Sequence, residues 1–227
     1  MLLDLITEAL ASPEMSHAMA GFVAITPDGE RVATSGWHSD RVKLWDGSSG
    51  KLLHELEGCL MSRVYFTPHQ ELIVAHNREF TFHSLNSLAV NRRLPRETGL
   101  YPGHVAFTAD GEMMALEMAP GVIHLKETTS GRTVAKLEDP HGDVSTWMSF
   151  TPDGTQLVVV ARYAGAIHRW DLRAIRERLK TMNLDWDWPE FPAARPMDSL
   201  ASNIKSPPRL QIIGAKPAST KVSLPNP

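Results

Sequence analysis

Phe150-Thr151-Pro152-Asp153-Gly154 decides how the chain is read, because three other segments repeat it: Ile25-Thr26-Pro27-Asp28-Gly29, Phe66-Thr67-Pro68-His69-Gln70 and Phe107-Thr108-Ala109-Asp110-Gly111. The four threonines stand 41, 41 and 43 residues apart. A fixed period of this size marks a stacked repeat in which each unit is one supersecondary element. Pro-Asp-Gly is turn chemistry: Pro presets φ, Asp bonds to nearby backbone N–H groups and Gly accepts a positive φ. Apolar runs of strand length flank the turns, Phe22 to Ile25 and Arg31 to Thr34 in the first unit, Trp147 to Phe150 and Gln156 to Val160 in the last. Each unit therefore opens with a β-hairpin.

A third strand follows in every unit: Arg41 to Asp46, Glu79 to His83, Gly121 to Lys126 and Ala166 to Asp171. Each alternates as half-buried strands do. A fourth closes the unit, as in Lys51 to Glu57 after Gly50 and Arg132 to Glu138 after Gly131. Four antiparallel strands in about forty residues make the blade of a β-propeller. The expected fold is all-β, with about four blades over residues 1–182, in units near 17–58, 59–103, 104–142 and 143–182.

Val42-Lys43-Leu44-Trp45-Asp46 followed by Gly47-Ser48-Ser49-Gly50-Lys51 resembles the third strand, Trp-Asp ending and turn of the WD-repeat (WD40) family, and Trp170-Asp171 repeats the ending. The resemblance covers about residues 1–172. It implies a hydrogen-bonded network pinning the first blade, with His17, Ser35 and Trp45 at family-like spacing, Asp40 as the nearest Asp about one place late, and Trp170 and Asp171 marking the last blade. Units two and three end in His83-Ser84 and Lys126-Glu127 instead, so those blades are expected to rely on packing.

After Asp171 the pattern changes. Leu172, Ile175, Leu179 and Met182 recur at helical spacing with Asp171 as N-cap, which predicts an amphipathic helix of about three turns. Leu184-Asp185-Trp186-Asp187-Trp188-Pro189 follows, and half of the 16 prolines lie beyond Trp188, so residues 183–227 read as an extended Trp/Pro-rich tail. Residues 209–213, Arg-Leu-Gln-Ile-Ile, have the pattern of a delayed outer strand for the last blade. The series from Trp170 to Asp187 resembles the end of the WD-repeat region in large bacterial multidomain proteins, many with a serine/threonine kinase domain upstream. No His-Arg-Asp, Asp-Phe-Gly or Gly-rich loop of a kinase occurs here.

Four repeats leave closure open, since propellers close at four to eight blades. The chain is the C-terminal part of a larger propeller, or an arc completed by another copy, or a small propeller in which Leu2 to Thr7 supplies an outer fourth strand. An open arc would expose a blade face.

Composition narrows the function classes. The 227 residues are 42% apolar and 22% charged, with 26 acids against 23 bases, so no field points to nucleic acid or a membrane surface. Cys59 is the single cysteine, which excludes an internal disulfide. The first residues carry Asp4 and Glu8 with no leading Lys or Arg, unlike a signal peptide, and a cytoplasmic location is expected.

No phosphate loop and no Gly-x-Gly-x-x-Gly turn is present. Among ten histidines, His83, His124 and His168 fall late in successive third strands, a repeat-register effect, while His17 and His141 precede first strands. Asp28, Asp110 and Asp153 are turn residues. Catalytic residues, metal ligands and cofactors are therefore expected to be none. Arg173, Arg176, Arg178 and Lys180 form a basic cluster that offers a docking surface for an acidic partner, interrupted by Glu177. The function expected is a non-enzymatic scaffold for protein partners; the rivals are a propeller enzyme with a site at the channel mouth and a regulatory module of a serine/threonine kinase.

Overall fold

The computed structural model describes residues 15–191, together with the backbone of two short strands, β1 (Leu3–Asp4) and β2 (Ala9–Leu10), which pair antiparallel with each other. Of the outer strand expected at Leu2 to Thr7, only Leu3 and Asp4 are among the described residues, and they pair with Leu10 and Ala9. The strand expected at residues 209–213 lies outside the described residues.

Four antiparallel sheets follow in the arrangement of a four-bladed β-propeller, each a simple meander. Blade 1 comprises β3 (Phe22–Ile25), β4 (Arg31–Ser35), β5 (Val42–Asp46) and β6 (Leu52–Leu56). Blade 2 comprises β7 (Arg63–Phe66), β8 (Glu71–Ala75), β9 (Glu79–Ser84) and β10 (Val90–Pro95). Blade 3 comprises β11 (Val105–Phe107), β12 (Met113–Ala119), β13 (Val122–Glu127) and β14 (Thr133–Glu138). Blade 4 has three strands, β15 (Ser145–Phe150), β16 (Gln156–Ala161) and β17 (Ile167–Asp171), and then helix α1 (Leu172–Thr181).

The repeated threonine explains itself at each hairpin. Its hydroxyl accepts the N–H of the residue that starts the second strand, at 3.0 Å from Arg31 to Thr26, 2.9 Å from Glu71 to Thr67, 3.1 Å from Met113 to Thr108 and 3.1 Å from Gln156 to Thr151. Where an Asp follows two places on, the same hydroxyl donates to its carboxylate at 2.6 Å, as at Asp28, Asp110 and Asp153. The fourth turn residue has positive φ in all four blades: Gly29 at 75°, Gln70 at 62°, Gly111 at 77° and Gly154 at 68°. Three are glycine, for which that region is free; Gln70 holds it against its Cβ.

Period-two alternation sends successive side chains to opposite faces of a blade, and three apolar clusters form between blades. Phe22, Ala24, Ala33, Val42 and Leu44 of blade 1 meet Val64, Leu72 and Val74 of blade 2. Tyr65, Ile73, Phe80 and Phe82 of blade 2 meet Val105, Met114 and Leu116 of blade 3. Ala106, Met113, Ile123 and Leu125 of blade 3 meet Met148, Phe150, Leu157 and Val159 of blade 4, joined by Leu172 of α1. Among the described residues no such cluster joins blade 4 to blade 1.

The pinning network of blade 1 lies one residue earlier than the resemblance implies. Trp45 Nε1 donates to Thr34 Oγ1 at 2.9 Å, and Thr34 Oγ1 lies 2.7 Å from His17 Nδ1. Ser39 Oγ donates to the Arg41 carbonyl at 3.2 Å and so accepts from His17 Nε2 at 2.7 Å, which leaves Nδ1 to accept the Thr34 hydroxyl. Burial, with the Lys43 charge next, lowers the His17 pKa and favours this neutral ring. Ser35 faces the other way: it is fully buried and donates to the Ser62 carbonyl at 3.0 Å, tying blade 1 to blade 2. Asp40 stays exposed, near Arg41. The physical reason is the alternation itself, which puts Thr34 and Ser35 on opposite faces.

Helix α1 begins as expected, with the Asp171 carboxylate accepting the Ala174 N–H at 3.0 Å. Its inward side is unlike the expectation. Arg176, assigned with Arg173, Arg178 and Lys180 to an outward basic face, is only 5% exposed. Its guanidinium donates to Asp185 and to the carbonyls of Trp186, Trp188 and Pro189, so the segment after the helix wraps around it. Lys180 pairs with Glu190 at 2.7 Å. Trp186, Trp188 and Phe191 pack against the cluster between blades 3 and 4. Arg178 remains exposed.

Candidate interaction face

In an antiparallel meander the first strand begins at the end of the blade where the second finishes. All four blades bring side chains to this end through the starts of β3, β7, β11 and β15 and through the loops beside them. Phe22 opens β3, and Trp37 lies in the β4–β5 loop with its ring centroid 5.6 Å from that of Phe22. Tyr101, in the connection to blade 3, meets Trp37 edge-on at 5.7 Å and 84°. Arg63, at the start of β7, places its guanidinium 4.3 Å from the Phe22 centroid and 5.8 Å from that of Trp37. Arg162, in the β16–β17 loop, lies 4.8 Å over Tyr101 and 5.8 Å from Tyr163. One continuous arginine–aromatic face thus runs from blade 1 to blade 4.

Polar contacts hold this face from below. Arg96 donates from Nη1 to the Tyr101 carbonyl at 2.6 Å and to the Asn77 and His76 carbonyls at 3.1 and 3.2 Å, while its Nε reaches the Glu117 carbonyl at 2.8 Å. The loop carrying Tyr101 is fixed by that fork. The Asp143 carboxylate accepts from the Tyr163 and Ala164 N–H groups at 3.0 and 2.8 Å, which positions the Arg162-Tyr163 loop. Those backbone donors hold Asp143 below the usual carboxylate range.

Glu117, on β12, is the most buried ionisable side chain among the described residues, at 2% exposed. One oxygen accepts the His104 N–H at 3.2 Å and the other the Ser145 N–H at 2.9 Å, so the carboxylate straps β12 to the first strands of blades 3 and 4. Burial raises its pKa against those hydrogen bonds and the Arg96 charge. Burial, aided by Arg63 and Arg96, pushes His104 down to about 3, and burial pushes Tyr65 up to about 12. His104 and Tyr65 are therefore uncharged at neutral pH, and Glu117 is held in place by its two backbone donors. What faces solvent is Tyr163, Arg162 and parts of Trp37 and Tyr101. Neither Arg63 nor Arg162 has a carboxylate partner among the described residues.

Sequence reasoning did not single out any member of this face. They come from loops at unequal offsets from the repeated turns, and only the meander brings them together. Of the residues that it did select, His17 and Trp45 meet in the pinning network, Trp170 packs between blades 3 and 4, and Asp171 caps α1. Cys59 is buried with its thiol pushed up to about 11, which leaves it a poor nucleophile. No group of three or more His, Cys, Asp or Glu side chains arranged to hold a metal occurs among the described residues. Nor is any described helix long and apolar enough to cross a membrane.

No protein-family model matches the sequence, and no curated protein matches it. Among solved structures the chain is similar to a chain of Kuenenia stuttgartiensis hydrazine synthase, with a TM-score of 0.58 and 16% sequence identity. The match covers 75% of this chain and 59% of that one. At this identity the likeness shows the propeller fold alone, shared over little more than half the length of the structure it matches.

Proposed function

We propose that the protein is a non-enzymatic WD-repeat scaffold that binds an acidic segment of a partner protein across its arginine–aromatic face. The observation that carries this reading is the continuous run of Phe22, Trp37, Arg63, Tyr101, Arg162 and Tyr163, contributed by loops and strand starts of all four blades. Trp, Tyr and Arg are the residue types that dominate binding energy at protein interfaces, because they bury large rigid area and still offer polar tips. Here two guanidiniums stack on rings without neutralising acids, so the face is positive and an acidic segment is the complementary ligand. Trp-Asp endings at Trp45-Asp46 and Trp170-Asp171, with the His17–Thr34–Trp45 network, support the WD-repeat assignment.

The test is affinity capture with wild-type protein and an Arg162→Glu/Tyr163→Ala variant, two exposed positions whose change leaves the core intact. A partner recovered in stoichiometric amount by the wild type is expected to bind the variant at least about thirty-fold more weakly, as loss of an interfacial anchor worth about 2 kcal/mol implies. Equal recovery by both proteins would sink the assignment of this face.

A further inference from the structure

The repeat register shows what the two end faces of the blade series are shaped to meet. Counting back from the turn threonines, Val23, Val64, Val105 and Met148 occupy one column, and Ile25, Phe66, Phe107 and Phe150 the next on the same side. Val64, Val105 and Met148 are 4%, 6% and 4% exposed because the preceding blade covers them, and each belongs to an inter-blade cluster. Val23 is 64% exposed and Ile25 61%. Blade 1 thus presents the face that blades 2, 3 and 4 bury.

Blade 4 presents the opposite face. Counting from the end of the third strand, Val42, Phe80, Ile123 and Ile167 share a column. The first three are at most 3% exposed, covered by the following blade, whereas Ile167 is 71% exposed. Trp147, in the column of Phe22, is 53% exposed. Val158 and Val160 lie on this face as well, by alternation with Leu157 and Val159, which point into blade 3. One charge interrupts it: Arg169 stands where Leu44, Phe82 and Leu125 are fully buried.

A single chain therefore carries both halves of an interface that it already makes three times internally. We propose that blade 4 of one copy packs on blade 1 of a second copy, and reciprocally, so that two chains close one eight-bladed ring. The contact is head-to-tail, and such contacts give a closed ring only when the rotation per subunit fits. Propellers close at four to eight blades, so two four-blade chains reach the limit and three exceed it. Continuity with the existing blade-to-blade packing selects this partner. The assembly uses the ends of the series and does not depend on the arginine–aromatic face.

Light scattering on the full chain is expected to give twice the 25.2 kDa of one chain. Val23→Asp/Ile25→Asp and Trp147→Asp/Ile167→Asp variants, all at exposed positions, are each expected to run as monomers with unchanged circular dichroism. Mixed together they are expected to associate again, because the intact blade 4 of the first still meets the intact blade 1 of the second. Arg169→Leu, which restores the apolar residue of that column, is expected to strengthen the dimer. A monomeric wild type at tens of micromolar, a dimer insensitive to both variants, or a trimer or open polymer would each overturn the proposal.

Discussion

Arg176 closes on Asp185 across the end of α1 with two parallel hydrogen bonds, Nε to Oδ1 at 2.9 Å and Nη2 to Oδ2 at 3.0 Å. The same guanidinium donates to three carbonyls of the segment 186–189 and lies 5.6 Å from the Trp186 ring. One side chain thereby fixes a whole turn of backbone against the last blade. Arg176→Ala strips all of those acceptors at once and leaves the Asp185 charge without its partner. A loss of about 3 kcal/mol is expected in urea unfolding, together with a red shift of tryptophan emission as Trp186 and Trp188 leave their packing. Asp185→Asn keeps the carbonyl bonds and is expected to cost less; an equal cost would show that the carbonyls contribute nothing.

The shifted network in blade 1 is separable by paired substitutions. Thr34→Val removes the acceptor of the Trp45 N–H and the neighbour of His17 Nδ1, and a cost of about 1–3 kcal/mol is expected from the buried donor left behind. Ser39→Ala is expected to cost about 1 kcal/mol. Asp40→Ala, at an exposed position, is expected to lie within about 0.5 kcal/mol of wild type. Thermal melting of the three proteins ranks them, and a large effect at Asp40 with none at Ser39 would restore the family-like pattern.

That one-place shift shows what was legible in the sequence. The period, the hairpins, the third strands and the start of α1 follow from turn chemistry and alternation, which are local. The choice between Thr34 and Ser35 depends on which blade face the strand shows to His17, and either hydroxyl satisfies a spacing rule. Arg176 reads as part of a basic surface cluster until the chain folds back and supplies Asp185 nine residues later. The arginine–aromatic face was illegible for the same reason: its members share an end of the propeller without sharing a sequence interval.

Gln70 is the one turn residue of its column that is not glycine, and its φ of 62° carries a side chain in the left-handed region. Its amide reaches Asp28 only at an exposed 3.3 Å contact. Gln70→Gly is expected to stabilise the protein by about 0.5–1 kcal/mol, relief of backbone strain exceeding the added freedom of the unfolded chain. Denaturant midpoints check this, and destabilisation would mean that the Asp28 contact outweighs the strain.

Acid sensitivity should centre on His104. Its pKa lies at about 3 against 6.5 for the free side chain, so between those values the unfolded chain binds a proton that the folded protein refuses. Stability from this group is intact above 6.5 and falls as pH drops through the window, by about 2–3 kcal/mol on reaching pH ~4.5. His17 and His76, also lowered by burial, act in the same sense. Glu117, raised from 4.5, acts oppositely: its contribution diminishes as pH rises above that value. A His104→Asn protein is expected to lose less stability than wild type between neutral pH and pH ~4.5. Parallel melting curves for the two proteins would refute the assignment.

Strand β12 has all seven of its residues buried, with a paired strand on either side and a packed blade on each face. Its amides have no route to solvent short of parting the third blade from both neighbours. In a chain held monomeric by Val23→Asp/Ile25→Asp, deuterium uptake should therefore run as a gradient, slowest at Met113 to Ala119 and faster toward β3 and β17, whose sheets then lean on one neighbour each. A molecule with that gradient comes apart from its ends inward, and the last piece to let go is the middle of the series.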